Sequence, residues 1–199
     1  MITFKKSINN PNEYQCGNIP HNAKKMNSPS SINEMMKKAT PIAIILCLIM
    51  MISMFIKIYV SNQIVIHPIA ILFGFLIGFA LLLVHELLHA IVFPKKADVT
   101  IGKLKGKLVF VALASYPLKK TRFIVMCLLP FLLGIIPLIV FAFSPADKTI
   151  LNGLMFGMAG IGMVSPFPDV YNVFLVLKQT KNKDSIMFYE DDIYRIPNN

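Results

Sequence analysis

Four long apolar stretches constrain the fold of this chain more than any other feature of its sequence. A helix needs about 20 apolar residues to cross the hydrocarbon core of a bilayer. Four runs have that length: Pro41–Val60, Ile64–Phe93, Arg122–Phe143 and Ile150–Val176. Lipid cannot satisfy backbone groups that are left open, so helices suit these runs. The sequence therefore predicts an all-α polytopic membrane protein with four transmembrane helices.

The amount and placement of charge agree with that prediction. Only 15% of the residues are charged, whereas a soluble domain has roughly 25%. Most lysines and arginines lie in the N-terminal segment, the 94–121 loop and the C-terminal segment, which four spans place on one side of the membrane. The positive-inside rule assigns that side to the cytoplasm. We therefore expect a multi-pass cell-membrane protein with both termini cytoplasmic. Its net charge of +10 then faces anionic lipid, and no nucleic-acid partner is expected.

The polar segments divide the chain into three parts. Residues 1–38 are predicted to be a mobile cytoplasmic tail with little core, 39–178 a membrane-embedded domain, and 179–199 a cytoplasmic C-terminal tail. Within the 94–121 loop, residues 99–101 and 108–112 are rich in β-branched residues and flank Gly102 and Gly106. This pattern predicts a short β-hairpin in the cytoplasmic loop. The alternative is a solvated basic loop that contacts lipid headgroups.

The second apolar run ends in the motif His85-Glu86-Leu87-Leu88-His89. On a helix, His85 and His89 are one turn apart and project from the same face, so both imidazoles can bind one Zn²⁺. Glu86 then reaches a water molecule whose pKa the metal lowers, and it can take the proton. The spacing therefore indicates metal-assisted hydrolysis of an amide.

The position of this motif inside an apolar run strengthens that interpretation. Charged side chains in a bilayer cost several kcal/mol and persist mainly where they have a function. Glu86 and Asp169 are the two carboxylates well inside the four runs. The competing interpretation is that His85 and His89 are core histidines that bond to neighbouring helices.

Asp169 is the candidate for the third metal ligand. A catalytic zinc usually has three protein ligands and one open position, and Asp169 follows two prolines, Pro166 and Pro168, that break helical hydrogen bonding. The alternative role for Asp169 is a helix N-cap. Asn172, one turn further on, can bond to a ligand or substrate or to a neighbouring helix.

These residues resemble a known group of proteins. A His-Glu-x-x-His motif in one membrane helix with an aspartate in a later one is similar to the site-2-protease-like intramembrane metalloproteases. The chain more closely resembles the small bacterial four-span proteins known as putative zincin peptidases. This resemblance implies that His85, His89 and Asp169 bind zinc and that Glu86 is the catalytic acid/base. It also implies that a strand at 108–112 pairs with an unwound membrane-bound substrate.

Two functions from different classes follow from these observations. The first is a membrane-embedded zinc metalloendopeptidase that hydrolyses peptide bonds of a membrane protein or peptide. The second is a zinc-binding membrane protein without peptidase activity, such as a chaperone, an immunity factor or a regulatory partner. Glu86 favours the enzyme, because a purely structural zinc site needs no carboxylate to activate water.

Overall fold

The computed structural model describes residues 1–106 and 109–198, and four of its helical segments are long and apolar enough to cross a membrane. They are Ile32–Ser61, Pro68–Val92, Lys120–Phe143 and Thr149–Gln179. Each overlaps one of the four apolar runs, so the prediction of four candidate spans is confirmed.

Three of the four segments are interrupted. The first is a single helix, and the others divide into six helices joined by short breaks. Pro130 lies in the break of the third segment and Pro166 in that of the fourth, as expected for residues without a backbone N–H. The helices are α1 (Ile32–Ser61), α2 (Pro68–Ala80), α3 (Leu82–Val92), α4 (Lys120–Leu128), α5 (Leu132–Phe143), α6 (Thr149–Val164) and α7 (Phe167–Gln179), with 3-10 turns at Pro11–Tyr14 and Leu129–Phe131.

Strands outside these segments correct the predicted all-α class. The described residues contain β1 (Ile2–Ile8), β2 (Lys24–Lys25), β3 (Val99–Leu104), β4 (Phe110–Leu113), β5 (Leu118–Lys119), β6 (Ser185–Tyr189) and β7 (Asp192–Ile196). They form one sheet in the order β1-β3-β4 and another in the order β2-β7-β6-β5. The predicted hairpin is confirmed by the antiparallel pair of β3 and β4. Residue 108, where the second strand was predicted to begin, lies outside the described residues.

Both terminal segments contribute to these sheets. β1 runs parallel to β3, with Ile2 opposite Val99, and β2 pairs with β7. Ile8 and Met26 are buried in apolar clusters. This differs from the prediction that residues 1–38 have little core. The partner strands of β1 and β2 lie about a hundred residues or more away in sequence, so residues 1–38 alone carry no signal of this pairing. The boundaries at residues 38 and 178 remain predictions.

The chain divides into two compact units. Unit 1 comprises residues 1–39, 86–129 and 168 to the C-terminus, and unit 2 comprises residues 40–85 and 130–167. Unit 1 contains both sheets, α4, and most of α3 and α7. Its largest apolar cluster joins α4 and α7 to the second sheet through Phe123, Val176 and Ile186.

Unit 2 is formed by helices packed closely at glycines. Gly74 of α2 lies against Gly157 of α6, and a Cβ atom on either residue would be 2.9 Å from the other Cα. At one end of this unit, Lys57 of α1 donates to the carbonyls of Phe141 and Ser144, which end α5, and to Oδ1 of the fully buried Asn152 at 3.0 Å. The ammonium group therefore satisfies acceptors at a helix C-terminus, where positive charge is favourable.

Candidate metal centre

Helix α3 carries the His85–His89 motif. Both histidines are buried, with 6% and 8% of their surface exposed. They are four residues apart in one continuous helix, so its geometry places them on the same face, one turn apart. The local arrangement that the motif predicts is therefore present.

Asp169 contacts the second histidine. It is the third residue of α7, in the first turn, so it does not occupy the N-cap position considered above. Its Oδ2 atom is 3.5 Å from Nε2 of His89, and 19% of its side chain is exposed. Two ligands that are each about 2.1 Å from a tetrahedral Zn²⁺ lie about 3.4 Å apart. The spacing of these two atoms therefore fits coordination of one ion.

His85, His89 and Asp169 together form a group that could bind a metal ion. Each offers one ligand atom, and the three atoms lie within 4.8 Å of one another. Two imidazoles and one carboxylate are a ligand set that leaves zinc an open fourth position, as catalytic zinc sites do. No second group of three such residues occurs within residues 1–106 and 109–198. The donor set thus fits zinc.

A backbone carbonyl fixes the orientation of His89. Nδ1 of His89 lies 2.8 Å from the carbonyl oxygen of Met126 in α4. A carbonyl can only accept, so Nδ1 carries the hydrogen that is donated to it, and Nε2 is the ring nitrogen that faces Asp169. A ligating histidine usually has such a partner, which sets its tautomer. Nothing in the motif itself points to Met126.

Glu86 faces the edge of the hairpin. Its carboxylate accepts a hydrogen bond from the backbone N–H of Ala112 in β4. The N–H of Leu104 bonds to the carbonyl of Val109, so alternation along the antiparallel pair turns the N–H of Ala112 away from β3. Since β4 is the last strand of its sheet in the described part of the chain, its outer edge lies beside Glu86.

The surrounding contacts hold α3 against the hairpin and α4. Ala90 of α3 packs with Val99 and Ile101 of β3 in a buried apolar cluster. Nε of Arg122, in the first turn of α4, donates to the carbonyl of Val92 at 2.5 Å. That carbonyl ends α3 and lacks a helical partner, so a basic side chain is favourable there.

Three buried side-chain polar atoms have no hydrogen-bond partner among the described residues: Oδ1 of Asn12 and two atoms in the fourth candidate span. The amide oxygen Oδ1 of Asn172 is one of these two, and it lies one turn beyond Asp169 on α7. One expectation for Asn172 was a hydrogen bond to a neighbouring helix. Its Oδ1 accepts no such bond from the described residues. The other atom in this span is the hydroxyl oxygen of Ser165, which lines a small pocket together with Gly78, Leu82 and His85. Groups of this kind can accept a water or a ligand.

Comparison with protein-family models gives a match. The family model described as "Putative zincin peptidase" matches residues 78–183, which is more than half of the chain and includes all four predicted site residues. No curated protein and no solved structure matches the chain.

Proposed function

The chain belongs to the putative zincin peptidase family, and on that premise we propose that it is a membrane-embedded zinc metalloendopeptidase. The observation that carries the proposal is the convergence of His85, His89 and Asp169 within 4.8 Å, with Glu86 adjacent to His85 in the same helix. Its substrate would be a peptide bond of a membrane-bound protein or peptide.

The residues have separate roles in this proposal. His85, His89 and Asp169 would hold Zn²⁺, which when bound supplies a Lewis acid that makes water a good nucleophile at neutral pH. Glu86 accepts the proton of the attacking water and passes it to the amine that leaves. The Ala112 N–H holds the Glu86 carboxylate in place for both transfers.

The outer edge of β4 supports a site for an extended substrate. By the alternation that turns the N–H of Ala112 outward, the backbone groups of Phe110 point to the same edge. An extended peptide can add to an open sheet edge through main-chain hydrogen bonds. A membrane helix that unwinds locally would then present its backbone beside Glu86. We therefore also propose that residues 108–112 contact the substrate by pairing with its extended backbone.

Orientation in the membrane is also part of the proposal. The basic segments 1–38, 94–121 and 179–199 would face the cytoplasm, as their lysines and arginines predict. Single cysteines introduced at positions 30, 105 and 185, in a chain without its native cysteines, would test it. All three should resist an impermeant thiol reagent in intact cells and react after lysis. Reaction of any of them in intact cells refutes this topology.

The central experiment separates zinc binding from catalysis. Glu86→Gln should retain zinc and lose cleavage of a co-expressed membrane substrate, because an amide cannot take the proton. Asp169→Ala should lose most of its zinc, since one of three ligands is missing. Glu13→Gln, which alters an exposed carboxylate, serves as the control. Zinc content and product formation are measured on the same preparations.

The results distinguish the enzyme from a zinc-binding protein without peptidase activity. Full cleavage by Glu86→Gln refutes the catalytic role of that carboxylate. Undiminished zinc in Asp169→Ala refutes its role as a ligand. Wild-type protein that binds one zinc tightly and cuts none of a panel of single-span membrane proteins favours the non-proteolytic function.

A further inference from the structure

We propose that Pro130 is a positioning residue for the metal centre: because it has no backbone N–H, it leaves the carbonyl of Met126 free to hold His89. The inference rests on the proposed zinc site and extends it to a residue outside the motif. It concerns the polypeptide backbone of the third candidate span.

The first step is the hydrogen bonding of α4. In an α-helix, the carbonyl of residue i accepts the N–H of residue i+4. The N–H of Leu129 bonds to the carbonyl of Val125 in this way. The next carbonyl is that of Met126, and the residue four positions later is Pro130, which has no N–H to give. The proline therefore removes the helical partner of one particular carbonyl.

The second step is that this carbonyl lies in a buried region. Met126 is 5% exposed, His89 is 8% exposed, and Pro130 is fully buried. A buried carbonyl without a partner costs about as much free energy as a lost hydrogen bond. Nδ1–H of His89 provides the missing partner at 2.8 Å. The imidazole N–H and the carbonyl thus satisfy each other.

The third step links this bond to the metal. With Nδ1 as the donor to Met126, Nε2 is the ring nitrogen on the side of the metal centre, and it lies 3.5 Å from Oδ2 of Asp169. An N–H at position 130 would compete for the Met126 carbonyl and favour continuation of the α-helix through the 3-10 turn Leu129–Phe131. The carbonyl would turn toward the helix axis, and His89 would lose the contact that fixes its tautomer.

The test compares two replacements of Pro130 that have the same side chain, one with a backbone N–H and one with an ester oxygen in its place. One is Pro130→Ala, and the other places lactic acid, the α-hydroxy analogue of alanine, at the same position. Both remove the ring, but only alanine restores the donor. Zinc affinity in detergent, measured by competition with a chelator, should fall by roughly tenfold or more in Pro130→Ala. It should stay near the wild-type value with the hydroxy acid.

Pro137→Ala is the matched control. Pro137 lies inside α5 and removes the helical partner of the Leu133 carbonyl. Since Leu133 is seven residues beyond Met126, this variant restores an N–H in the same candidate span without supplying a donor to the carbonyl that His89 uses. Zinc affinity should be unchanged. Equal losses in Pro130→Ala and Pro137→Ala, or equal losses in the alanine and lactic acid proteins, overturn the proposal.

A second measurement uses the metal-free protein. ¹⁵N NMR of histidine-labelled chain, with the His89 signals assigned from His89→Gln, should show a protonated, hydrogen-bonded Nδ1 in wild type and an Nδ1 without that hydrogen bond in Pro130→Ala. A wild-type Nδ1 that carries no proton overturns the proposal even if no variant folds. The variant His89→Ala distinguishes a failure of the proposed zinc site from a failure of the role proposed for Pro130. If it binds zinc like wild type, the proposed zinc site is wrong; if it loses zinc while Pro130→Ala does not, only the present inference fails.

Discussion

Replacement of Ala112 by proline is the sharpest test of the relation between the hairpin and Glu86. Ala112 lies in the edge strand β4, and its N–H points away from β3 to the Glu86 carboxylate. Proline lacks that N–H but is tolerated in an edge strand where the N–H makes no ladder bond. Ala112→Pro should therefore keep the sheet and remove the support of the carboxylate.

The expected loss follows from the strength of this one bond. A hydrogen bond to a charged group contributes about 1.5–3 kcal/mol. At about 1.4 kcal/mol per factor of ten in rate, kcat/KM should fall by roughly 10- to 150-fold. The proline ring on the outer edge also hinders pairing with an extended substrate, so part of the loss should appear as a higher KM. Zinc content should not change, because the N–H of Ala112 bonds to Glu86, which is not one of the proposed zinc ligands.

Two control variants make this outcome interpretable. Ala112→Val keeps the N–H and should retain activity. Val111→Pro removes an N–H that faces β3, in the pair with Gly102, so it should break the ladder and lower the melting temperature. The assay is cleavage of the membrane substrate used in the Glu86 experiment, with circular dichroism and zinc content on the same samples. A folded Ala112→Pro protein with wild-type kcat/KM refutes the role assigned to this N–H.

Two further predictions concern the packing of unit 2. Lys57→Met should lower the free energy of unfolding in detergent by about 2–4 kcal/mol, because it removes a charged donor from buried acceptors. Lys148→Met, which alters an exposed lysine, should change it by less than about 0.5 kcal/mol. Gly157→Ala should destabilise by roughly 1–3 kcal/mol, since its Cβ would meet the backbone of α2. Gly160→Ala, whose Cβ would have atoms of the Phe75 ring as its three nearest neighbours, should be milder in the same unfolding assay.

The features that the sequence predicted well have local signals. An apolar run of about 20 residues identifies a candidate span from composition alone, and all four runs correspond to such helices. The hairpin was predictable because β-branched residues and two glycines occur close together between residues 99 and 112. The break after Ala80 has no comparable signal, because Leu81 is a good helix former.

The terminal strands could not be predicted in this way. β1 carries Lys5 and Lys6 and is mostly exposed, so its composition resembles that of a solvated tail. Its structure comes from parallel pairing with β3, in which Phe4 lies opposite Ile101. Such a pairing depends on a partner that is distant in sequence, and the order of residues within β1 does not specify it.

The proposed metal centre combines groups that depend on side-chain identity with groups that do not. His85, Glu86, His89 and Asp169 have the side chains that the proposed chemistry needs, and the first three were predicted from their motif. The carbonyl of Met126 and the N–H of Ala112 are backbone groups, and residues of many types can supply them. Met126→Leu and Ala112→Val should therefore preserve zinc binding. Pro130 differs from both, because its role depends on the absence of a backbone N–H, which every other residue type has. Position 130 is therefore a supporting position whose residue type is fixed by the proposed metal centre.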